Sequence, residues 1–327
     1  MKERKLKQAL FPIEPQYMER VWGGKKLRPS GPPVGEAWVA FEDSRVVGGA
    51  RAGMTVAELS AEYGAEFLGA AVATRFGRRF PLLVKLLDCA DWLSVQVHPD
   101  DAQAERMVGP GAFGKTEAWY FLEVEGGANI LAGVVPGTTP QALESAIRGG
   151  HVTEMSRRLE VRAGDALYLP AGTLHALGPG MLLYEVQQAS DTTYRVYDWG
   201  RPAAAGRKLH VEEAVAVADA GKCPELSRPA PTPAAAVSVV SCPFFDLDVA
   251  RVNGRPFRGD TGGTTFHVVT ATAGRLRLSS GGESLSLGVY ETAVVAGGAG
   301  KYELSPGEGA AAEVLIASVP PIPDPAA

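Results

Sequence analysis

"GDALYLPAGTLH", residues 164–175, decides how this chain is read. Gly164 permits a turn into the short apolar run "ALYL". Pro170-Ala171-Gly172 then forms a tight turn, and His175 opens the next strand pointing inward. Taken alone, an inward His is most often a satisfied core residue. Its spacing from the residues before it is what raises the alternative. A Gly, five residues, Pro, one residue, Gly and two residues lead to that His.

This spacing resembles the second sequence motif of the cupin barrels, a jelly-roll class in which that His faces a metal inside the barrel. The fold class expected from it is mainly β: a double jelly-roll-like cupin with a few helices inserted in and flanking the catalytic barrel. The surrounding sequence agrees. "AWYFLEVEGGANILAGV" (118–134) reads as two strands joined as a hairpin at Gly126-Gly127. Helical patterns are fewer, over 55–69, 99–107, 139–150 and 210–220. Thr139-Pro140 looks like an N-cap followed by proline at the first helical position.

Three further stretches supply chemistry. In "SVQVHPDD" (94–101), apolar and polar residues alternate, so Gln96 and His98 share one face of a half-buried strand. Pro99 ends that strand, and Asp100-Asp101 suit the start of a helix. "GKTEAWYF" (114–121) carries Lys115 and Glu117 into an apolar strand, where a carboxylate is costly unless it is paired or metal-bound. Gln96, His98, Glu117 and His175 together make an N/O ligand set that suits Zn²⁺, Fe²⁺ or Mn²⁺. In "SDTTYRVYDWGR" (190–201), Asp191, Thr193 and Arg195 alternate and would share a strand face. Arg195 offers a fixed, charged fork for phosphate or an enediolate oxygen. The plainer reading is a surface Asp–Arg pair.

In this order, "KLLDCADWLSVQVHPDD", "GKTEAWYFLE", "GDALYLPAGTLHAL" and "YEVQQASDTTYRVYDWGR" resemble the class I mannose-6-phosphate isomerases of the short bacterial type. "FPIEPQYMERVWGGKKL" and "GEAW" match the family's opening. The likeness covers most of residues 10–220 and is weak beyond. It implies one Zn²⁺ per chain held by Gln96, His98, Glu117 and His175. It also implies a sugar-phosphate pocket lined by Lys85, Lys115, Asp191 and Arg195. The reaction implied is the interconversion of mannose 6-phosphate and fructose 6-phosphate through an enediol. Arg195, Lys115 and Asp191 are its catalytic candidates, and Lys85, Lys115 and Arg195 its substrate-binding ones. Lys115, Asp191 and Glu185 are each open as the base. Longer members carry His-Lys-Pro-Glu where this chain has Gly114-Lys115-Thr116-Glu117, so a proton-transferring His is absent from that place.

Composition narrows the remaining classes. A net charge of −5 and a pI near 5.7 argue against a nucleic-acid partner. Cys89, Cys223 and Cys242 are too few and too scattered for a disulfide framework or a thiolate metal site. With neither a signal-peptide pattern nor a membrane-length apolar run, a cytoplasmic enzyme of a small sugar phosphate is expected, with no membrane association and no obligatory protein partner. By sequence order, residues 1–222 read as a catalytic cupin domain with helical segments. Residues 223–236 read as a Pro/Ala-rich linker, and 237–327 as a degenerate C-terminal jelly roll whose single histidine is His267. Two other classes fit a metal-binding cupin: an Fe²⁺ oxygenase, and a non-catalytic sugar-phosphate binder.

Overall fold

The β-strand content exceeds the helical content throughout the computed structural model, which describes residues 6–201, 207–233, 235–307 and 311–321. By contacts the chain falls into two compact units. One comprises 17–37 and 86–227; the other comprises 1–16, 38–85 and 228–327. No helix among the described residues is long and apolar enough to cross a membrane. Among the described residues, Cys89, Cys223 and Cys242 form no disulfide.

The unit of residues 86–227 is built on two antiparallel sheets. Five strands lie in the order Tyr194–Tyr197, Val95–Val97, His175–Leu177, Asn129–Val134 and Ser156–Glu160. The facing sheet includes, as successive neighbours, Leu226–Ser227, Ala166–Leu169, Glu117–Val124 and Met181–Gln188. Alternation along the strands divides the core. Trp119, Phe121, Ile130, Ala132, Leu167, Leu169, Leu177 and Leu183 fill one cluster. Val95, Val97, Leu131, Ala176 and Val196 point the other way and pack with Leu143, Ile147, Ala214 and Val217 of the helices Pro140–Gly149 and Val211–Val217. With its valines spent on that outer layer, the Val95–Val97 strand turns Gln96 toward the inner face, and His98 follows two residues on.

The turn at Gly126-Gly127 does not close a hairpin. The strands Glu117–Val124 and Asn129–Val134 belong to different sheets, so the chain crosses between sheets there, with Gly127 at φ 81°. Both strands send side chains into the same apolar cluster, and burying them face to face replaces edge-to-edge pairing. The helices agree with their local signals. Thr139 accepts from the Ala142 amide at 3.2 Å with Pro140 at the first position. Asp100 caps Asp101–Met107 and accepts from the Gln103 amide at 2.7 Å. The helical run over 55–69 is broken at Gly64 (φ 49°, ψ −120°) into Val56–Tyr63 and Ala65–Leu68.

The second unit has a six-stranded and a four-stranded antiparallel sheet. Its core contains Leu10, Val252, Val269, Leu278, Val295, Leu304 and Val314. The strand Leu10–Ile13 pairs there with Thr292–Val295. His267 bonds the Tyr302 hydroxyl at 2.7 Å through Nδ1.

Candidate metal centre

His98, Glu117 and His175 come together in the unit of residues 86–227, with one ligand atom from each lying within 4.8 Å of the others. All three are buried, Glu117 completely. Three separate strand ends deliver them. His98 follows Val95–Val97, Glu117 begins Glu117–Val124, and His175 begins His175–Leu177. The Pro170–Gly172 turn works as its sequence suggests. Gly172 takes φ 84°, and Thr173 Oγ closes the turn on the Pro170 carbonyl at 2.6 Å.

Backbone carbonyls fix both imidazoles. His98 Nδ1 lies 3.0 Å from the Thr192 carbonyl, and His175 Nδ1 lies 2.8 Å from the Thr173 carbonyl. A carbonyl can only accept, so each Nδ1 carries the proton and each Nε2 keeps a lone pair turned toward Glu117. His98 Nε2 is 3.5 Å from one Glu117 oxygen, and His175 Nε2 is 3.2 Å from the other. Both Glu117 oxygens are buried, with no hydrogen-bond partner among the described residues. Burial, with the nearby Lys115 charge, holds His98 well below its ordinary pKa, which keeps it in the ligand form. Burial alone would raise the Glu117 carboxyl. The Lys115 charge beside it opposes that, and the carboxyl lies well below the usual range.

Two polar side chains occupy the mouths of these lone pairs. Gln96 Nε2 is 3.3 Å from His175 Nε2. Lys115 Nζ is 3.1 Å from His98 Nε2 and 3.1 Å from Glu117. Two imidazole lone pairs and a buried carboxylate, compensated here only by the Lys115 ammonium among the described residues, make an arrangement that fits a divalent cation.

The remaining site candidates are spread more widely. Arg195 is the register partner of Gln96, so the two side chains leave their sheet on the same face. Its Nη1 donates to the Lys208 carbonyl at 3.0 Å, while its Nε is buried with no partner among the described residues. Asp191 is exposed and precedes the strand Tyr194–Tyr197, so the alternation expected over 191–195 does not reach it. The loop leaves the ladder there because the Thr192 carbonyl is engaged by His98. Lys85 is buried on Leu82–Cys89, its ammonium 5.4 Å from the centre of the Trp38 ring. Glu185 is buried and accepts from the Trp119 indole at 2.8 Å. Sequence reasoning missed the Thr192 and Thr173 carbonyls, since main-chain acceptors leave no residue-type signal. It also missed Gln187, opposite Glu117 in register and with a buried Oε1 that has no partner among the described residues, although the doublet Gln187-Gln188 in an apolar strand was a visible anomaly.

A two-sheet β unit with a buried His–Glu–His set inside it belongs to the cupin class. Residues 10–117 match the family described as phosphomannose isomerase type I, catalytic domain. A mannose-6-phosphate isomerase of Streptococcus mutans is 36% identical over 290 residues, covering 84% of this chain and 88% of that protein. The Bacillus subtilis mannose-6-phosphate isomerase ManA is 40% identical over 225 residues, covering 65% and 69%. The crystal structure of a Bacillus subtilis mannose 6-phosphate isomerase superposes with a TM-score of 0.83 at 28% identity, over 95% of this chain and 99% of that one. A zinc-bound mannose 6-phosphate isomerase structure shares the fold at a TM-score of 0.76 and 16% identity, over 94% and 99%. The chain belongs to the type I phosphomannose isomerase family.

Proposed function

We propose that this protein is a zinc-dependent aldose–ketose isomerase that interconverts mannose 6-phosphate and fructose 6-phosphate in the cytoplasm. The observation that carries the metal reading is the buried Glu117 carboxylate, which has no hydrogen-bond partner among the described residues and lies between two inward imidazole lone pairs. His98, Glu117 and His175 would hold one ion, with the Gln96 amide beside His175 as the fourth group. A bound Zn²⁺ supplies Lewis-acid polarisation of the sugar oxygens.

The chain's own residues then carry the proton chemistry. A proton leaves C2 of the aldose and returns to C1, so negative charge develops on the oxygens of an enediolate. Arg195 offers its free Nε–H to that charge, and its position in register with Gln96 supports this role. Lys115 moves a hydroxyl proton at Nζ, a role supported by its contacts with both His98 and Glu117. The base for the C2 proton is drawn from Lys115, Asp191 and Glu185: Asp191 is exposed on the loop next to Thr192, and Glu185 accepts from the Trp119 indole.

The test is metal removal. Dialysis against a chelator abolishes turnover in a coupled mannose 6-phosphate assay, and one equivalent of Zn²⁺ restores it. Full turnover by verified metal-free protein overturns the reading. Oxygen consumption without isomerisation would instead identify an oxygenase.

A further inference from the structure

We propose that Gln188 is a positioning residue that locks the Glu117 segment against the His98 segment from outside the barrel wall, and thereby sets the geometry of the metal ligands. The inference rests on the metal reading above and deepens it. Gln188 alternates with Gln187 on the strand Met181–Gln188, so it faces away from Glu117 and the inner cluster. It is nonetheless 5% exposed, and both ends of its amide are used. Its Oε1 accepts from the Thr116 amide at 3.0 Å, and its Nε2 donates to Asp101 Oδ1 at 2.8 Å. The same Asp101 oxygen accepts from the Gly114 amide at 2.8 Å.

These three bonds join two ligand segments. Thr116 sits between Lys115 and Glu117. Asp101 is the first residue of the helix Asp101–Met107, whose entry is fixed by the reciprocal Asp100–Gln103 capping box, three residues after His98. The Lys115 amide also donates to the Pro99 carbonyl at 2.9 Å, and the Gln188 amide to the Thr116 carbonyl at 3.2 Å. Contact between the segments is close enough that a Cβ on Gly114 would lie 2.6 Å from the backbone of Asp100 and Asp101. Glycine at that position therefore has a spatial reason. The third ligand segment is tied in as well. Thr116 Oγ1 accepts from the Ala171 amide at 3.2 Å, and the Gly172 amide donates to the His98 carbonyl at 2.9 Å. The Gln188 amide spans from the Glu117 segment to the His98 helix by two directed bonds.

Gln188→Glu keeps the acceptor for Thr116 but replaces the donor with a second carboxylate facing Asp101. Adding Asp101→Asn reverses the polarity of the pair. The amide introduced at position 101 can donate to the carboxylate introduced at position 188, while its carbonyl oxygen still accepts from the Gly114 amide. The experiment measures the Zn²⁺ dissociation constant by chelator competition, the visible spectrum of the Co²⁺-substituted protein, and the melting temperature of the metal-free protein. Gln188→Glu should weaken Zn²⁺ binding by about 10-fold, the low end of the range for groups bonded directly to a ligand, because Gln188 acts through the Thr116 amide and Asp101. It should alter the Co²⁺ spectrum and lower the metal-free melting temperature, because it buries a second carboxylate against Asp101, and the double variant should recover most of both the melting temperature and the affinity. Should Gln188→Glu not fold, Gln188→Met, which keeps the side-chain length and loses both bonds, is read in the same way. Unchanged Zn²⁺ affinity and an unchanged Co²⁺ spectrum overturn the proposal, as does a double variant no better than the single. Wild-type protein that takes up no Zn²⁺ overturns the metal reading itself, and the proposal with it.

Discussion

His175 and Gln96 are direct cross-strand partners, and their side chains meet with nitrogens 3.3 Å apart. Gln96 is in turn the partner of Arg195 on the next strand. Antiparallel partners project to the same face, so one row across three strands carries a metal-ligand candidate, an amide and a guanidinium. The edge strand adds the cation, and the interior strand adds the ligand.

That row yields a kinetic expectation for Arg195→Ala. Arg195 is not a ligand type, and its Nε has no partner among the described residues. If its bond forms only to the enediolate, kcat falls by about 10²–10³ while KM changes little. Metal content, measured by elemental analysis, stays at the wild-type level. A raised KM with an intact kcat would move Arg195 from the enediolate to the phosphate, and normal values of both would remove it from the site.

Much of the site was legible because its side chains fall at periodic places. Gln96 and His98 lie two apart among buried valines, and His175 follows a turn whose Pro and Gly dictate its direction. Asp191 failed the same rule. Alternation predicts a shared face only where a ladder exists, and the strand begins at Tyr194 because the loop before it serves His98 through a carbonyl. The hairpin over 118–134 misled for a related reason. Two apolar strands with glycines between them satisfy either direct pairing or burial against one common core, and local sequence does not distinguish these. Long-range pairing such as Leu10 with Val295 leaves no local trace at all.

His267 gives a pH dependence with a defined sign. Burial pushes its pKa down to about 4, although Asp260 pulls the other way, while the unfolded chain keeps the ordinary value near 6.5. Between those two values the unfolded state binds the extra proton. His267 therefore makes the protein lose stability as pH falls from about 6.5 to about 4, by on the order of 3 kcal/mol if it acts alone. His267→Gln should flatten the urea midpoint over this window relative to wild type. Bound zinc should not change, because His267 is in the unit of residues 228–327 and outside the ligand set. Parallel pH curves for the two proteins would contradict the assignment, and a loss of zinc would place the metal site wrongly.

Gly69 tests backbone packing in that same unit. It has φ 91°, and an added Cβ would lie 2.3–2.4 Å from the backbone of Thr264 and Thr265. A main-chain neighbour cannot swing aside as a side chain can. Gly69→Ala combines a disfavoured conformation with a clash and should destabilise by about 2–3 kcal/mol. Calorimetry would show it as a lowered Tm. An unchanged Tm would mean that the two segments separate at little cost.

Lys115 is placed where a metal must compete with it. Its ammonium is 3.1 Å from the lone pair of His98 and 3.1 Å from Glu117, both groups that a divalent ion would take. In the metal-free protein this ammonium is the counter-charge of a fully buried carboxylate. Lys115→Met keeps the length of the side chain and removes the charge. Glu117 is then buried without compensation, which costs the metal-free protein about 3–5 kcal/mol. A bound cation cancels that cost, and it no longer faces a like charge at close range, a repulsion of about 4 kcal/mol per unit charge at 4 Å in a partly screened site. Lys115→Met should therefore melt earlier than wild type without metal and bind Zn²⁺ more tightly in chelator competition. Its turnover should nonetheless fall by about 10²–10⁴, because the proton carried at Nζ is gone. Weaker Zn²⁺ binding would show that Lys115 organises the ligands rather than competing for them, and wild-type turnover would take proton transfer away from it.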